Sequence, residues 1–179
     1  MNEGLRKALI VLAFGTTLAG LATAIALREA GHVRTDLGGM AVPKLALPVV
    51  RPEGGATQAR LSPSDFKGRP LLLHFWAPSC RPCVAELPLW QKRFEVAAMQ
   101  GYAVLAVAGD DAEDVQKFLK EGGYTLPVVV DASGQLFSAL RVTAIPATAA
   151  VDRRGVVVEY REGVVSDAEF PGLLARARR

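Results

Sequence analysis

The sequence predicts an α/β domain over residues 56–179, with parallel strands first and an antiparallel pair last, behind an N-terminal apolar segment. Three observations predict it. From Leu71 onward, short apolar runs of strand length alternate with stretches of helical periodicity. Turn residues punctuate most of the joins. The last two strand-like runs, Ala147–Asp152 and Val156–Tyr160, are separated only by Arg153–Gly155, which is too short for a parallel crossover and therefore a hairpin.

The first element lies ahead of the domain. Ala8–Leu27 holds no charged residue, and a helix of that length rises about 30 Å, the thickness of a bilayer's hydrocarbon core. Arg6 and Lys7 precede it, so residues 1–7 are expected in the cytoplasm, 8–27 as a transmembrane signal-anchor, and the rest beyond the membrane, facing the periplasm or cell exterior. The small-residue triplets Ala22–Ala24 and Ala24–Ala26 leave a competing reading, a cleaved signal and a soluble periplasmic protein, although the apolar run exceeds a usual signal core. Residues 28–55, rich in glycine and proline, read as a tether with a short strand near Lys44–Val50.

Within the domain, Leu61–Pro70 is turn-rich and Leu71–Phe75 is a strand buried on both faces. Leu87, Trp90, Phe94 and Ala97 form the apolar stripe of a helix, which Pro88 is expected to kink. Tyr102–Gly109 is the next strand. Asp110–Gly123 is a helix with acids in its first turn and glycines at its end. Leu126–Asp131 as a strand, a short helix at Gln135–Leu140, the hairpin and a last helix from about Asp167 complete the order.

The chain has 21 basic and 18 acidic residues, for a net charge of +3, and no basic stripe interleaved with aromatics, so nucleic acid is not an expected partner. Its two cysteines are Cys80 and Cys83. A structural disulfide gains most by closing a long loop, and two intervening residues close almost none. The pair is therefore read as reactive. Between a buried strand and a helix, Cys80 would stand at a helix N-terminus, where unpaired N–H groups and the dipole favour a thiolate; Arg81 adds a cation, and Pro82 fits the first turn. Cys83, one turn on, can attack a mixed disulfide formed at Cys80. Structural zinc would need two further ligands, and only His32 and His74 are available. A two-coordinate Cu(I) site on the two thiolates stays open as an alternative, and no resident cofactor or metal is expected.

The stretches Leu71–Pro88 and Val142–Val158 together resemble the thioredoxin superfamily, specifically the membrane-anchored TlpA-like and ResA-like thiol-disulfide oxidoreductases. The resemblance runs from about Leu61 to the C-terminus and rests on Phe75-Trp76-Ala77, the two cysteines, Glu86 with Pro88, and Ile145-Pro146. It implies a thioredoxin-like fold, a central mixed sheet flanked by helices. It also implies a redox-active Cys80–Cys83 disulfide with Cys80 as the attacking thiol, a cis bond before Pro146, and a partly buried Glu86 that moves protons for both sulfurs. Trp76, Arg81, Ile145 and Pro146 are the residues implied to meet substrate. The partners implied are extracytoplasmic protein disulfides, with a membrane thiol-electron carrier as reductant, in tasks such as cytochrome c maturation or copper-site assembly. A periplasmic dithiol oxidase is the rival direction. Two departures stand out: Ser79 replaces the usual Trp before the first cysteine, and His74 replaces a buried acid or neutral polar residue. His74 is expected to be a core histidine bonded to backbone, rather than a charge that tunes the thiols.

The anchor reading is tested by membrane extraction. The full chain is expected to remain with the membrane through an alkaline carbonate wash; a soluble mature chain beginning near Ile25 or Leu27 would establish cleavage instead.

Overall fold

The computed structural model describes residues 32–34, 36–53 and 55–179; the segment expected to anchor the chain, 8–27, lies outside the described residues. Among the described residues no helix is long and apolar enough to cross a membrane. The strands in chain order are β1 (His32–Arg34), β2 (Leu47–Arg51), β3 (Gly55–Leu61), β4 (Leu71–Trp76), β5 (Ala103–Ala108), β6 (Val128–Val130), β7 (Ala147–Val151) and β8 (Val157–Glu162). The helices are α1 (Arg81–Met99), α2 (Ala112–Gly122), α3 (Gln135–Ala139) and α4 (Phe170–Ala177).

The strands make one sheet in the order β1-β8-β7-β4-β5-β6-β2-β3. β4, β5 and β6 are parallel, whereas β7 runs antiparallel to β4 and β8 antiparallel to β7. This is the thioredoxin-like α/β arrangement, with parallel strands early and the hairpin last. All six residues of β4 are buried, because helices cover both faces of a strand in the middle of the sheet. Alternation splits them: Leu71, Leu73 and Phe75 join one core with Leu105, Val107, Leu136 and Leu140, while Leu72 and Trp76 join the other with Leu87, Trp90 and Leu173.

α1 forms because its sequence supplies a start, a stripe and a stop. Cys80 takes the extended N-cap conformation and Pro82 occupies the first turn. Cys83, Glu86, Leu87, Trp90, Arg93 and Ala97 are the buried residues, on one stripe at helical spacing. Gly101, at φ +80°, turns the chain away beyond Gln100. The helix continues through Pro88, which lies on the exposed side.

The tether expected over 28–55 is corrected by the structure. β1 pairs with β8, and β2 lies between β6 and β3, antiparallel to both. Between them the chain follows β8: Gly39 N donates to Val157 O, and Val42 N donates to Gly155 O, each at 2.9 Å. Gly38 and Gly39 lie in the turn after β1, Pro48 stands inside β2, and residues His32–Arg179 form one compact unit. The domain starts by His32, well before residue 56.

A truncation tests that boundary. Leu37, Val42, Leu47, Val49 and Val50 are all buried, and burying such side chains is worth about 1.5–3 kcal/mol each. Their sum, on the order of 10 kcal/mol, rivals the whole stability of a typical domain. A chain beginning at His32 is expected to unfold cooperatively on heating, and one beginning at Ala56 to show no cooperative transition by calorimetry.

Candidate active site

The two cysteines are joined in a disulfide at the start of α1, with their Cα atoms 5.3 Å apart. Cys80 Sγ accepts from the Cys83 N–H at 3.3 Å, so the sulfur itself caps the helix. Exposure separates the two sulfurs' residues: Cys83 is wholly buried, whereas Cys80 is half-buried at the rim. Arg81 and Pro82 between them are exposed. Across from Cys80 lies the cis Ile145–Pro146 peptide that leads into β7, and Cys80 Sγ sits 3.8 Å from Ile145 O. Pro146 is buried and Ile145 half-buried.

A residue missed by the sequence reading fixes the loop that carries Cys80. Asp110, just past β5, accepts from Ser79 N at 3.1 Å and from Ser79 Oγ at 3.3 Å. Ser79, read only as a lost Trp, is thus the tie between the loops after β4 and β5. Its signal was weak, an acid at a strand's end among the acids of the next helix. A cleft of about 370 Å³ opens here, lined by Ser79, Asp110, Asp131, Phe137 and Ile145 among others. Asp131 shapes its floor by accepting from the N–H groups of Gln135, Leu136 and Phe137.

One turn beyond Cys83, Glu86 is buried on the same helix face. Its Oε1 accepts from Val165 N at 2.9 Å and from Arg93 Nη1 at 3.4 Å, and its Oε2 has no hydrogen-bond partner. Burial pushes this carboxyl above the usual range, against the opposing pull of the Val165 N–H and the Arg93 cation. The Trp90 indole N–H also favours the charged form, although it falls short of hydrogen-bond geometry. Arg93 was not singled out in the sequence. The available signal was its position, seven residues after Glu86 on a stripe otherwise apolar.

Two sequence expectations change. Trp76, implied to meet substrate, is wholly buried in this structure, and its ring packs against Phe118 at 5.5 Å. As the last residue of β4 it faces the core, and its role is packing. His74 is a core histidine as expected, but its partner is a side chain. Its Nδ1 lies 3.3 Å from Thr148 Oγ1 on the neighbouring strand, and its ring stacks on Trp90 at 4.2 Å. Burial, with the nearby Arg93 charge, lowers its pKa to about 3, so His74 is neutral in the physiological range.

A model of the AhpC/TSA family matches residues 39–160. The chain belongs to the AhpC/TSA family. The AhpC/TSA match begins inside the stretch that the sequence reading took for a tether, in agreement with the early start of the fold. Two curated relatives are thiol-disulfide oxidoreductases named ResA. The one from Geobacillus kaustophilus is 33% identical over 108 residues, 60% of this chain and 62% of that protein. The one from Bacillus subtilis is 32% identical over 110 residues, 61% and 62%. This AhpC/TSA chain thus spans less than two thirds of the length of these relatives.

Solved structures carry the same fold. The exposed lipoprotein thioredoxin Etrx1 of Streptococcus pneumoniae matches with a TM-score of 0.63 at 28% identity, over 73% of this chain and 98% of that one. The MTB dsbF structure, in mixed oxidized and reduced forms, matches with 0.62 at 27% identity, over 76% and 99%.

The neutral His74 has a consequence for acid stability. Its folded pKa lies below the ordinary value near 6.5, so protonation favours the unfolded chain. Stability is therefore full above about pH 6.5 and falls as the pH drops toward 3. Denaturant unfolding across that window should show the wild type losing a few kcal/mol more than His74→Gln does. Parallel curves would remove His74 as the cause.

Proposed function

We propose that the chain is a membrane-anchored thiol-disulfide oxidoreductase that reduces disulfides of extracytoplasmic proteins through Cys80 and Cys83. The observation that carries the reading is the asymmetry of the pair: a rim sulfur at Cys80 that caps a helix, and a buried one at Cys83 a turn behind it. A partner's disulfide can approach only the first.

The chemistry follows from that asymmetry. In the dithiol form, the Cys80 thiolate attacks one sulfur of the partner's disulfide; the partner's S–S bond breaks and its second sulfur leaves as a thiolate that takes up a proton. The helix N-terminus stabilises Cys80 as the attacking anion. Cys83 then loses its proton and attacks Cys80 Sγ, so that the mixed disulfide breaks and the second partner thiol departs. Two electrons have passed to the partner, and the Cys80–Cys83 disulfide remains. Glu86, buried on the face of Cys83, is the nearest candidate to take the Cys83 proton.

Ile145 supports the same reading from the other side of the site. A partner strand laid along the loop at the cis Pro146 would place its own sulfur beside Cys80. Arg81, exposed between the cysteines, would meet the partner's surface and favour the thiolate. A membrane thiol-electron carrier would restore the dithiol, and cytochrome c maturation or copper-site assembly are tasks that fit a tethered reductant.

Trapping tests the division of labour. Cys83→Ala is expected to capture partners as mixed disulfides that vanish on reduction, and Cys80→Ala to capture none. Equal capture by the two variants would overturn the assigned roles, and capture by neither would overturn the reading.

A further inference from the structure

The buried stripe of α1 is apolar except at Cys83, Glu86 and Arg93, and the last two face each other two turns apart. We propose that Arg93 is a positioning residue that keeps Glu86 ionised beneath the thiols, and that through Glu86 it sets the pH at which the thiolate forms. The proposal rests on the thiol-exchange reading above and adds to it a residue remote from the sulfurs.

The geometry makes Arg93 a fixed charge. Its Nη2 donates to Val165 O at 2.7 Å and to Asp167 Oδ1 at 3.1 Å, and its Nη1 donates to Glu86 at 3.4 Å. Its guanidinium lies 5.2 Å from the Trp90 ring centroid and 4.9 Å from that of Phe170. A cation clamped on both sides in this way is the counter-charge that a buried carboxylate needs. The same Val165 that gives its N–H to Glu86 gives its carbonyl to Arg93. One backbone residue of the loop before α4 thus sets the spacing of the pair.

The other charged groups around the pair do not replace Arg93. His74, from β4, is neutral. Asp167, from the loop, is 80% exposed at its side chain and already engaged with Arg93. Glu159 of β8 and Glu169, just ahead of α4, are both paired with Arg161. Remove Arg93, and burial acts on Glu86 opposed chiefly by one N–H, so the carboxyl keeps its proton.

Sign separates this route from a direct effect on the thiols, because the Arg93 and Glu86 side chains meet at 3.4 Å and carry opposite charges. A direct attraction between Arg93 and a thiolate would lower the thiol pKa values. An ionised Glu86 one turn from Cys83 disfavours a second negative charge and raises the thiol pKa values. Losing Arg93 should therefore lower the pH of thiolate formation, the opposite of what losing a nearby cation does.

The test is the pH profile of iodoacetamide alkylation in the reduced full-length chain. Arg93→Gln, which keeps a donor for Val165 O, is expected to move the profile down by about one pH unit, so that alkylation below the midpoint is about tenfold faster. Glu86→Gln should give a similar shift, and the double variant no more than either. Arg93→Lys should restore the wild-type profile. An Arg93→Gln shift that is absent, upward, or equally large in the Glu86→Gln background would overturn the proposal, because only an effect routed through Glu86 vanishes with it. Should Arg93→Gln fail to fold, a carbon-13 carboxyl titration of wild-type Glu86 decides: ionised at pH 7 supports the proposal, and protonated at pH 7 overturns it. Failure of the thiol-exchange reading would appear instead in the trapping experiment, which these profiles do not touch.

Discussion

The structure depends on β4 being paired on both edges and covered on both faces. Every residue from Leu71 to Trp76 is buried, with β5 on one edge and β7 on the other. Such a strand has no freedom to slide, because a one-residue slip would exchange its two cores. Its C-terminal end is therefore a fixed point, and four residues beyond it Cys80 opens α1. The β7 pairing fixes the second half of the site by the same means. Phe75 stands opposite Ala147, so the cis Ile145–Pro146 peptide arrives level with the cysteine loop. One register places both halves.

What α1 adds is a gradient of environment along a single helix face. Cys80 is at the rim, Cys83 is sealed, Glu86 is sealed and paired with Arg93, and Arg93 lies two turns beyond Glu86 against the loop before α4. Burying a charge pair costs several kcal/mol per ion before the Coulomb attraction returns part of it. Stability alone gives no reason for that cost, since two apolar residues of similar volume would pack the stripe as well. Among the described residues, the buried side-chain polar atoms without partners collect in the same place, on His74, Trp76, Glu86, Trp90 and Arg93. This region between β4 and α1 is where the fold departs most from an economical core, and it lies under the sulfurs.

Much of this was legible in the sequence, for local reasons. The β4 run is apolar enough to be a two-face strand, the α1 stripe shows at helical spacing, and α2 ends where Gly123 takes φ +66°. The cysteine spacing gave the site. What was not legible depends on partners far along the chain. β2 contains Pro48 and sits among glycines and prolines, so its local signal is that of a linker; its place in the sheet comes from β6, nearly eighty residues on. β3, with Thr57, Gln58 and Arg60, lacks an apolar alternation because it is the sheet's last strand. The family resemblance implies that Trp76 meets substrate. Strand parity puts its side chain on the face of Leu72 against α1 and α2. The His74–Thr148 contact joins residues 74 positions apart, beyond the reach of any local pattern.

On the proposed reading, opposite charges act on the two thiols. The helix N-terminus and Arg81 favour a thiolate at Cys80, each by an amount typical of exposed or half-exposed partial charges. A Glu86 carboxylate one turn beyond Cys83, as proposed above, would oppose them in a less polar setting, where a charge acts more strongly. The two sulfurs would then differ, because Cys80 is nearer the helix end and the solvent and Cys83 is nearer Glu86 in the helix. For the proposed reductant, a rim thiol that ionises first and a buried thiol that keeps its proton until a mixed disulfide forms would match the order of the two attacks. Cys83 has no electrophilic sulfur to attack until Cys80 is bonded to the partner, so its proton need leave only at that second step.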